Sequence, residues 1–246
     1  EYQFKYYYYY QNIENIKDVA HKTGRELCNI IYPADKEGGA KYGIDGFNNA
    51  FNKIKYREKY EYKSFNQDFL EEKNLKKYSI KYYNILQNLK ISPGISFIYF
   101  DYIEIGVITM SMILEEAGYE PYKTIPFLNK KIKKKICSVC NKYYDDKIHT
   151  NDHKFIQARF LYLTDFHYSL AERQKLILET KSDNNIYGHN IKIIIGTSVL
   201  REGVDFANIR QIHLGEVWHN LSRIIQIIGR GARHCSHKLL KEFERN

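Results

Sequence analysis

The fold is decided by residues Ile191–His237, which read IKIIIGTSVLREGVDFANIRQIHLGEVWHNLSRIIQIIGRGARHCSH. The stretch opens with a short isoleucine-rich run, as expected of a strand that is covered on both faces. A Gly-Thr-Ser turn follows at 196–198, and the pattern QIIGRGAR stands at 226–233. A turn at the carboxyl end of a buried strand is where open α/β sheets bind ligands. The stretch therefore predicts an α/β fold with a binding site at this turn.

The pattern QIIGRGAR predicts a helix with one cationic face. On a helix, Gln226, Arg230 and Arg233 stand at i, i+4 and i+7 and project from the same side. Two neighbouring arginines are costly unless they meet an anion, and phosphate suits their planar forks. We expect the opposite side of the helix to pack on a sheet through its apolar residues. These are Leu221, Ile224, Ile225 and Ile228.

Strand and helix patterns alternate through the second part of the chain. They predict strands at 95–100, 160–164, 191–195 and 211–214, and helices at 77–90, 103–118 and 169–179. Such alternation is typical of a mostly parallel sheet with helices on both faces. We interpret residues 77–246 as one domain of this kind. Residues 1–76 are polar, tyrosine-rich and poorly periodic, with Gly38–Gly46 as a loop, and they would connect to a preceding domain.

The composition favours a polyanionic partner without identifying it. Lysine and arginine number 38 against 29 acidic residues, which gives a net charge of +9 in 246 residues. No run of about 18 apolar residues is present, so no membrane span is predicted. Four cysteines do not make a disulfide framework in a chain of this length, and an intracellular, reducing environment fits them better.

An insertion at 128–157 holds four candidate metal ligands, spaced Cys137-x2-Cys140-x8-His149-x3-His153. Two cysteines on a tight knuckle and two histidines four residues apart can close a tetrahedral Zn²⁺ site. The central spacer is shorter than the roughly dozen residues of a DNA-reading finger, so we predict a structural zinc knuckle. The alternative is two free cysteines with surface histidines. Substitute ligands in the same segment would be Asp145, Asp146 or Asp152.

The two halves of Ile191–His237 resemble motifs V and VI of superfamily 2 helicases, which lie in the second RecA-like domain of that family. QIIGRGAR matches the QxxGRxxR form of motif VI, and Gly203-Val204-Asp205 stands where motif V is expected. The strand and helix at 95–118 resemble motif IV. The residues EVWHN before motif VI and ARHCSH at its end resemble the corresponding sequences in helicases and early transcription factor ATPases of large cytoplasmic DNA viruses.

The resemblance implies a role for each motif. Three residues would form the catalytic group. Arg230 and Arg233 would act as arginine fingers on the nucleotide γ-phosphate, and Gln226 would couple the nucleotide to nucleic acid. A second group would contribute nucleotide contacts: Gly203, Asp205 and Gly229. The turn after the isoleucine strand would contact nucleic acid through Gly196, Thr197 and Ser198.

The resemblance also implies cofactors and partners. ATP with Mg²⁺ would be shared with a first RecA-like domain, because this sequence has no GxxxxGK[ST] phosphate loop and no acidic DExx-type tetrapeptide after a buried strand. We therefore expect no hydrolysis by the chain alone, and we expect both arginines to open onto solvent. The partners would be DNA or RNA, the first RecA-like domain and a viral RNA polymerase, with no membrane. The location would be intracellular, in the host cytoplasm or the virion.

Two functions other than an ATP-dependent helicase are compatible with parts of this sequence. A non-catalytic nucleic-acid-binding or transcription-factor module could retain the helicase fold, although intact Gln226, Arg230 and Arg233 argue for turnover. A phosphate loop and an acidic motif upstream would discriminate between the two. A zinc-dependent enzyme is disfavoured, because two cysteines and two histidines leave no open position on the metal. The sequence does not distinguish DNA from RNA, or unwinding from translocation.

Overall fold

A parallel sheet of five strands forms the centre of the chain. The structure is a computed structural model, which describes residues 2–5, 19–34, 41–54, 58–63, 68–144, 153–165, 167–198, 204–216, 221–232 and 236–242. In chain order the strands are β1 (Phe51–Lys53), β2 (Tyr60–Tyr62), β3 (Ile95–Tyr99), β4 (Glu120–Pro121), β5 (Arg159–Leu163), β6 (Ile193–Gly196) and β7 (Ile209–Leu214). The sheet has the order β4-β5-β6-β3-β7, with every neighbouring pair parallel, while β1 and β2 form a separate antiparallel pair.

In the described part of the chain, helices separate β2 from β3, β3 from β4 and β5 from β6, and one follows β7, as the sequence pattern predicts. The described helices are α1 (Val19–Asn29), α2 (Gly43–Ala50), α3 (Glu72–Tyr78), α4 (Ile80–Ile91), α5 (Thr109–Glu116), α6 (Leu170–Thr180) and α7 (Leu221–Gly231). A π-helical segment, Ile103–Ile108, leads into α5. The start of α6 is fixed by a capping box, in which Ser169 and Glu172 satisfy each other's backbone N–H groups. No described helix is long and apolar enough to cross a bilayer.

The sheet is covered on both faces, because successive side chains of each strand point to opposite sides. In β5, Phe160 and Tyr162 join one hydrophobic cluster, which includes residues of α2, α4 and α5. Leu161 and Leu163 join a second cluster, which includes residues of α6 and α7. The parallel sheet with helices on both faces is thus confirmed, and it fits the α/β RecA-like class.

The N-terminal segment packs on the face that also carries α4 and α5. Phe47, Phe51 and Tyr60 belong to the same buried cluster as the α5 side chains. The prediction of a loop over Gly38–Gly46 is wrong from Gly43 onward, because α2 begins there. Interlocking aromatic rings, rather than a periodic pattern, hold this segment in place. The domain boundary after residue 76 stays a prediction.

Candidate functional site

The predicted nucleic-acid turn leaves the carboxyl end of β6. The Gly196 carbonyl accepts a hydrogen bond from the backbone N–H of Phe100 at 2.9 Å, which fixes this strand end beside β3. Thr197 is 3% exposed, and its hydroxyl has no hydrogen-bond partner among the residues that the structure describes. Ser198 is exposed. A buried hydroxyl without a partner costs about 1–3 kcal/mol. Ser198, rather than Thr197, offers the accessible hydroxyl of this turn.

Helix α7 carries the QIIGRGAR pattern and packs on β7 through a side that was not predicted. Ile227 is buried, and so is Gly231, where an added Cβ would lie 3.0 Å from Cδ1 of Ile212. A larger residue at this position would require Ile212 to move by a few tenths of an ångström. The predicted packing is wrong for three of its four residues, which are exposed: Leu221, Ile225 and Ile228.

Contacts near both ends of α7 explain this orientation. Near its start, Arg223 forms an ion pair with Asp101, which follows β3 at the carboxyl end of the sheet. At its end, the Arg230 carbonyl accepts a hydrogen bond from the backbone N–H of Phe206 at 3.0 Å. The helix therefore runs back across the sheet, and its end lies beside the residues that precede β7.

Arg230 is directed into the chain rather than onto open solvent. Its Nη1 atom donates to the Val204 carbonyl at 3.3 Å and lies 3.8 Å from Oδ1 of Asp205. The side chain is 16% exposed, so the expected opening onto solvent is wrong for Arg230. The structure brings together two predicted site residues, Arg230 and Asp205, because each supplies the other with an opposite charge. At 3.8 Å this ion pair is long.

The remaining predicted residues of this region are dispersed. Gln226 is exposed, and an added Cβ at Gly229 would meet nothing within 4 Å, so packing does not require glycine there. Gly203 and Arg233 lie outside the described residues. The turn at 196–198 follows β6, whereas Arg230 contacts Val204 and Asp205 in the segment that leads into β7.

A buried polar network at the carboxyl ends of β3 and β7 was not predicted. Glu216 is 2% exposed, and its Oε2 accepts a hydrogen bond from the backbone N–H of Asp101 at 2.6 Å. Its Oε1 accepts from the Asn29 side chain. The Asp101 carboxylate in turn accepts from the Tyr99 hydroxyl at 3.0 Å and pairs with Arg223. Burial raises the pKa of Glu216 to about 7, although these hydrogen bonds act in the opposite direction.

Lys81 attaches α4 to the same network. Its ammonium donates to Oδ1 of Asn29 at 2.9 Å and to the Gly215 carbonyl at 2.6 Å. Burial lowers the pKa of Lys81, while the charge of Glu216 acts in the opposite direction. The sequence contains a signal for this network, since Asp101 and Glu216 each stand just after a predicted strand.

Three of the four predicted metal ligands come together in the insertion. The ligand atoms of Cys137, Cys140 and His153 lie within 4.8 Å of one another, with 3.4 Å between Sγ of Cys137 and Nε2 of His153. A tetrahedral zinc site has ligand-to-ligand edges of about 3.6 Å, given its usual bond lengths. These three residues therefore fit a zinc site. His149 lies outside the described residues.

The insertion is attached to the amino edge of the sheet. The Ser138 hydroxyl donates to the His189 carbonyl at 3.2 Å, shortly before β6 begins. The Asn141 side chain donates to the Ser92 carbonyl at 3.0 Å, shortly before β3 begins. The cysteine and histidine cluster thus lies at the edge opposite to the turn at 196–198.

Comparison with known proteins agrees with this geometry. Residues 119–235 match the family model described as helicase conserved C-terminal domain. The chain is 31% identical over 187 residues to a mimivirus protein named "Putative ATP-dependent RNA helicase L377", covering 69% of this chain and 16% of the relative. It is 27% identical over 225 residues to mimivirus protein R563, of the same printed description, covering 92% of this chain and 31% of the relative.

A relative with a different printed function is also similar. The early transcription factor large subunit homolog of African swine fever virus is 30% identical over 172 residues, covering 69% of this chain and 15% of the relative. The chain thus spans less than a third of the length of each of these three relatives. Residues 119–235 therefore belong to the helicase C-terminal domain family, and the chain is similar to mimivirus proteins named as putative ATP-dependent RNA helicases and to the early transcription factor large subunit homolog of African swine fever virus.

Proposed function

We propose that the chain is the second RecA-like domain of an ATP-dependent superfamily 2 helicase or translocase that acts in viral transcription. The observation that carries this proposal is the contact between α7 and the segment before β7. There Arg230 of the motif VI pattern lies against Asp205 of the motif V pattern. ATP with Mg²⁺ would occupy the cleft between this domain and a first RecA-like domain.

Charge neutralisation on the transferred phosphoryl group would be the task of Arg230 and Arg233. An arginine finger contributes about 10³–10⁵ in kcat. To reach a phosphate when the cleft closes, the Arg230 guanidinium would exchange its contacts with the Val204 carbonyl and Asp205 for the nucleotide. Gln226 would couple the nucleotide to nucleic acid. The remaining nucleotide contacts would come from Gly203, Asp205 and Gly229.

Nucleic acid would cross the turn at 196–198, where Ser198 is exposed. The contacts would be mainly to backbone phosphate, which suits a motor that must ignore sequence. The net charge of +9 supports a polyanionic partner, either DNA or RNA. A viral RNA polymerase would be the protein partner, within the host cell or the virion.

The metal centre would be a structural Zn²⁺ site held by Cys137, Cys140, His149 and His153. Four protein ligands leave no position for a substrate, so this centre would brace the insertion and take no part in hydrolysis. The contacts of Ser138 and Asn141 with the amino edge of the sheet support a bracing role.

Steady-state hydrolysis of ATP by a longer protein that includes a first RecA-like domain tests the motor assignment. We expect Arg230→Lys to lower kcat almost as much as Arg230→Ala, because a point charge cannot replace a bidentate fork. Arg159→Lys, at the start of β5, is the matched control and should leave kcat unchanged. Thermal melting would confirm that each variant is folded.

Two outcomes would contradict this account. Full kcat in Arg230→Lys would remove the finger assignment. Robust hydrolysis by the chain alone, abolished by Arg233→Ala, would show that the ATP site is not shared between two domains. If the longer protein binds nucleic acid but does not hydrolyse ATP, the non-catalytic module becomes the better description.

A further inference from the structure

Arg223 stands on the same side of α7 as Arg230, near the opposite end of the helix. A separation of seven residues returns a side chain to nearly the same direction on a helix, about 10 Å further along its axis. Ile227 and Gly231, the buried residues of α7, lie toward this side as well. The side of α7 that packs on the sheet therefore carries an arginine near each end.

Arg223 is anchored at the carboxyl end of β3. Its Nη2 atom forms an ion pair with Oδ1 of Asp101, and the two side chains are 18% and 10% exposed. The Tyr99 hydroxyl donates to the same carboxylate oxygen at 3.0 Å. An ion pair that is largely shielded from water is screened little by salt. The contact therefore fixes the start of α7 against the end of β3.

Asp101 is itself held in place by the buried polar network behind it. Its backbone N–H donates to Oε2 of Glu216 at 2.6 Å, and Oε1 of Glu216 accepts from the Asn29 side chain. Lys81 donates to Oδ1 of Asn29 at 2.9 Å and to the Gly215 carbonyl at 2.6 Å. Asp101 is thus connected to the ends of α1 and β7 and to α4, so it cannot follow α7 if the helix turns.

The ion pair near the other end of α7 is looser. Nη1 of Arg230 lies 3.8 Å from Oδ1 of Asp205, whose side chain is 38% exposed. A long ion pair with a partly exposed partner contributes little to stability. Of the two arginines, Arg223 is therefore the one that fixes the rotation of α7 about its axis.

We propose that Arg223 is a positioning residue for Arg230. Its ion pair with Asp101 sets the rotation of α7, and thereby the direction from which Arg230 approaches the nucleotide phosphate. The inference rests on the motor function proposed above. A displacement of about 1 Å at the reacting groups can lower a rate about 100-fold, so even a small turn of the helix would weaken the contact in the transition state.

Steady-state hydrolysis of ATP by a longer protein that includes a first RecA-like domain tests this role. Arg223→Gln should lower kcat about 10- to 100-fold and leave KM for ATP within about twofold, because the affected contact strengthens in the transition state. Asp101→Asn should do the same. The double variant leaves no unpaired charge and should lose no more than either single variant. Lys175→Gln, at an exposed position of α6, is the control for the loss of one positive charge.

A second comparison separates positioning from folding. In a protein that already carries Arg230→Ala, Arg223→Gln should have no further effect on kcat, because Arg223 acts only through Arg230. A variant that merely loosened the fold would lower kcat in both backgrounds. In the 246-residue chain alone, hydrogen exchange of the α7 amides should be faster in Arg223→Gln than in the parent, while exchange in β5 and β6 stays unchanged.

Three results would overturn the proposal. Full kcat in Arg223→Gln would show that the ion pair does not position Arg230. An equal fall in kcat with and without Arg230 would make Arg223 a packing residue only. Unchanged exchange in α7 would show that the pair does not hold the helix.

Failure of the motor function gives a different result. If the longer protein does not hydrolyse ATP, or if Arg230→Ala keeps full kcat, the motor function is wrong and the role of Arg223 in it falls as well. Faster α7 exchange in Arg223→Gln would then show separately that the ion pair holds the helix.

Discussion

Glu216 illustrates how burial controls the charge of one carboxyl group in this chain. Its pKa rises from 4.5 to about 7, mainly because the side chain is buried, even though it accepts hydrogen bonds from Asp101 and Asn29. The folded chain therefore holds a proton on Glu216 that the unfolded chain releases. Between pH 4.5 and about 7, the contribution of Glu216 to stability is greatest at low pH and declines as pH rises toward the folded pKa.

With rising pH, the free energy of unfolding should accordingly fall less steeply, or rise more steeply, in Glu216→Gln than in the parent chain. Between pH 4.5 and pH 7 the Glu216 contribution falls with rising pH by at most roughly 1.4 kcal/mol per unit. Urea unfolding at a series of pH values measures this slope. His167, His189 and His213 have lowered pKa values and act in the opposite direction, so the difference between variant and parent isolates Glu216. Parallel pH profiles for the two chains would contradict this expectation.

Residue identity predicts some of these sites better than others. The cysteine and histidine spacing predicted Cys137, Cys140 and His153, because a tetrahedral ion requires few residue types at short separations. Arg223 was missed although it stands seven residues before Arg230 on the same helix. The pairing of Arg230 with Asp205 depends on a long-range contact, which helical spacing alone does not determine.

Among the elements, α7 shows where pattern reading fails. Its apolar residues lie on one face of the helix, and periodicity assigns that whole face to the sheet. The structure packs the helix only through the edge of that face, at Ile227 and Gly231. The close approach of Gly231 to β7 selects that edge. The exposed residues Leu221, Ile225 and Ile228 follow from that choice.

Two glycines of α7 offer a matched pair of substitutions. Gly231→Ala should lower the free energy of unfolding by about 1–3 kcal/mol, because the new methyl group would meet Ile212 at 3.0 Å and Ile209 at 3.3 Å. Gly229→Ala meets nothing within 4 Å, and a better helix former there should raise stability by up to about 1 kcal/mol. Chemical denaturation of both variants measures the difference. Equal effects would mean that α7 does not pack on β7 through Gly231.

The sheet strands were predicted more accurately than the N-terminal segment. Predicted strands at 160–164 and 211–214 correspond to Arg159–Leu163 and Ile209–Leu214. Short apolar runs bounded by polar residues specify such strands locally. By contrast, α2, β1 and β2 gain their stability from aromatic contacts with distant residues such as Phe69 and Phe127, which no local period reveals.

For the molecule as a whole, the metal centre should contribute to thermal stability. Each kcal/mol of unfolding free energy that is lost lowers the Tm of a chain of this size by about 2–4 °C. We expect a strong chelator, which removes the metal, to lower the Tm by about 5–10 °C. Cys137→Ser should melt at the lower temperature whether or not a chelator is added. Cys28→Ser is the control, since Cys28 is an exposed thiol outside the cluster, and it should behave like the parent. A chelator-insensitive Tm in the parent would contradict a structural metal.

The attachment of the insertion to the amino edge of the sheet leaves room for change. Ser138 and Asn141 attach it to the ends of the strands that lie away from the turn at 196–198. A descendant of this protein could acquire an extra module on this insertion without crowding the carboxyl edge. The insertion would also suit a fused reporter, provided that all four proposed ligands are kept: Cys137, Cys140, His149 and His153.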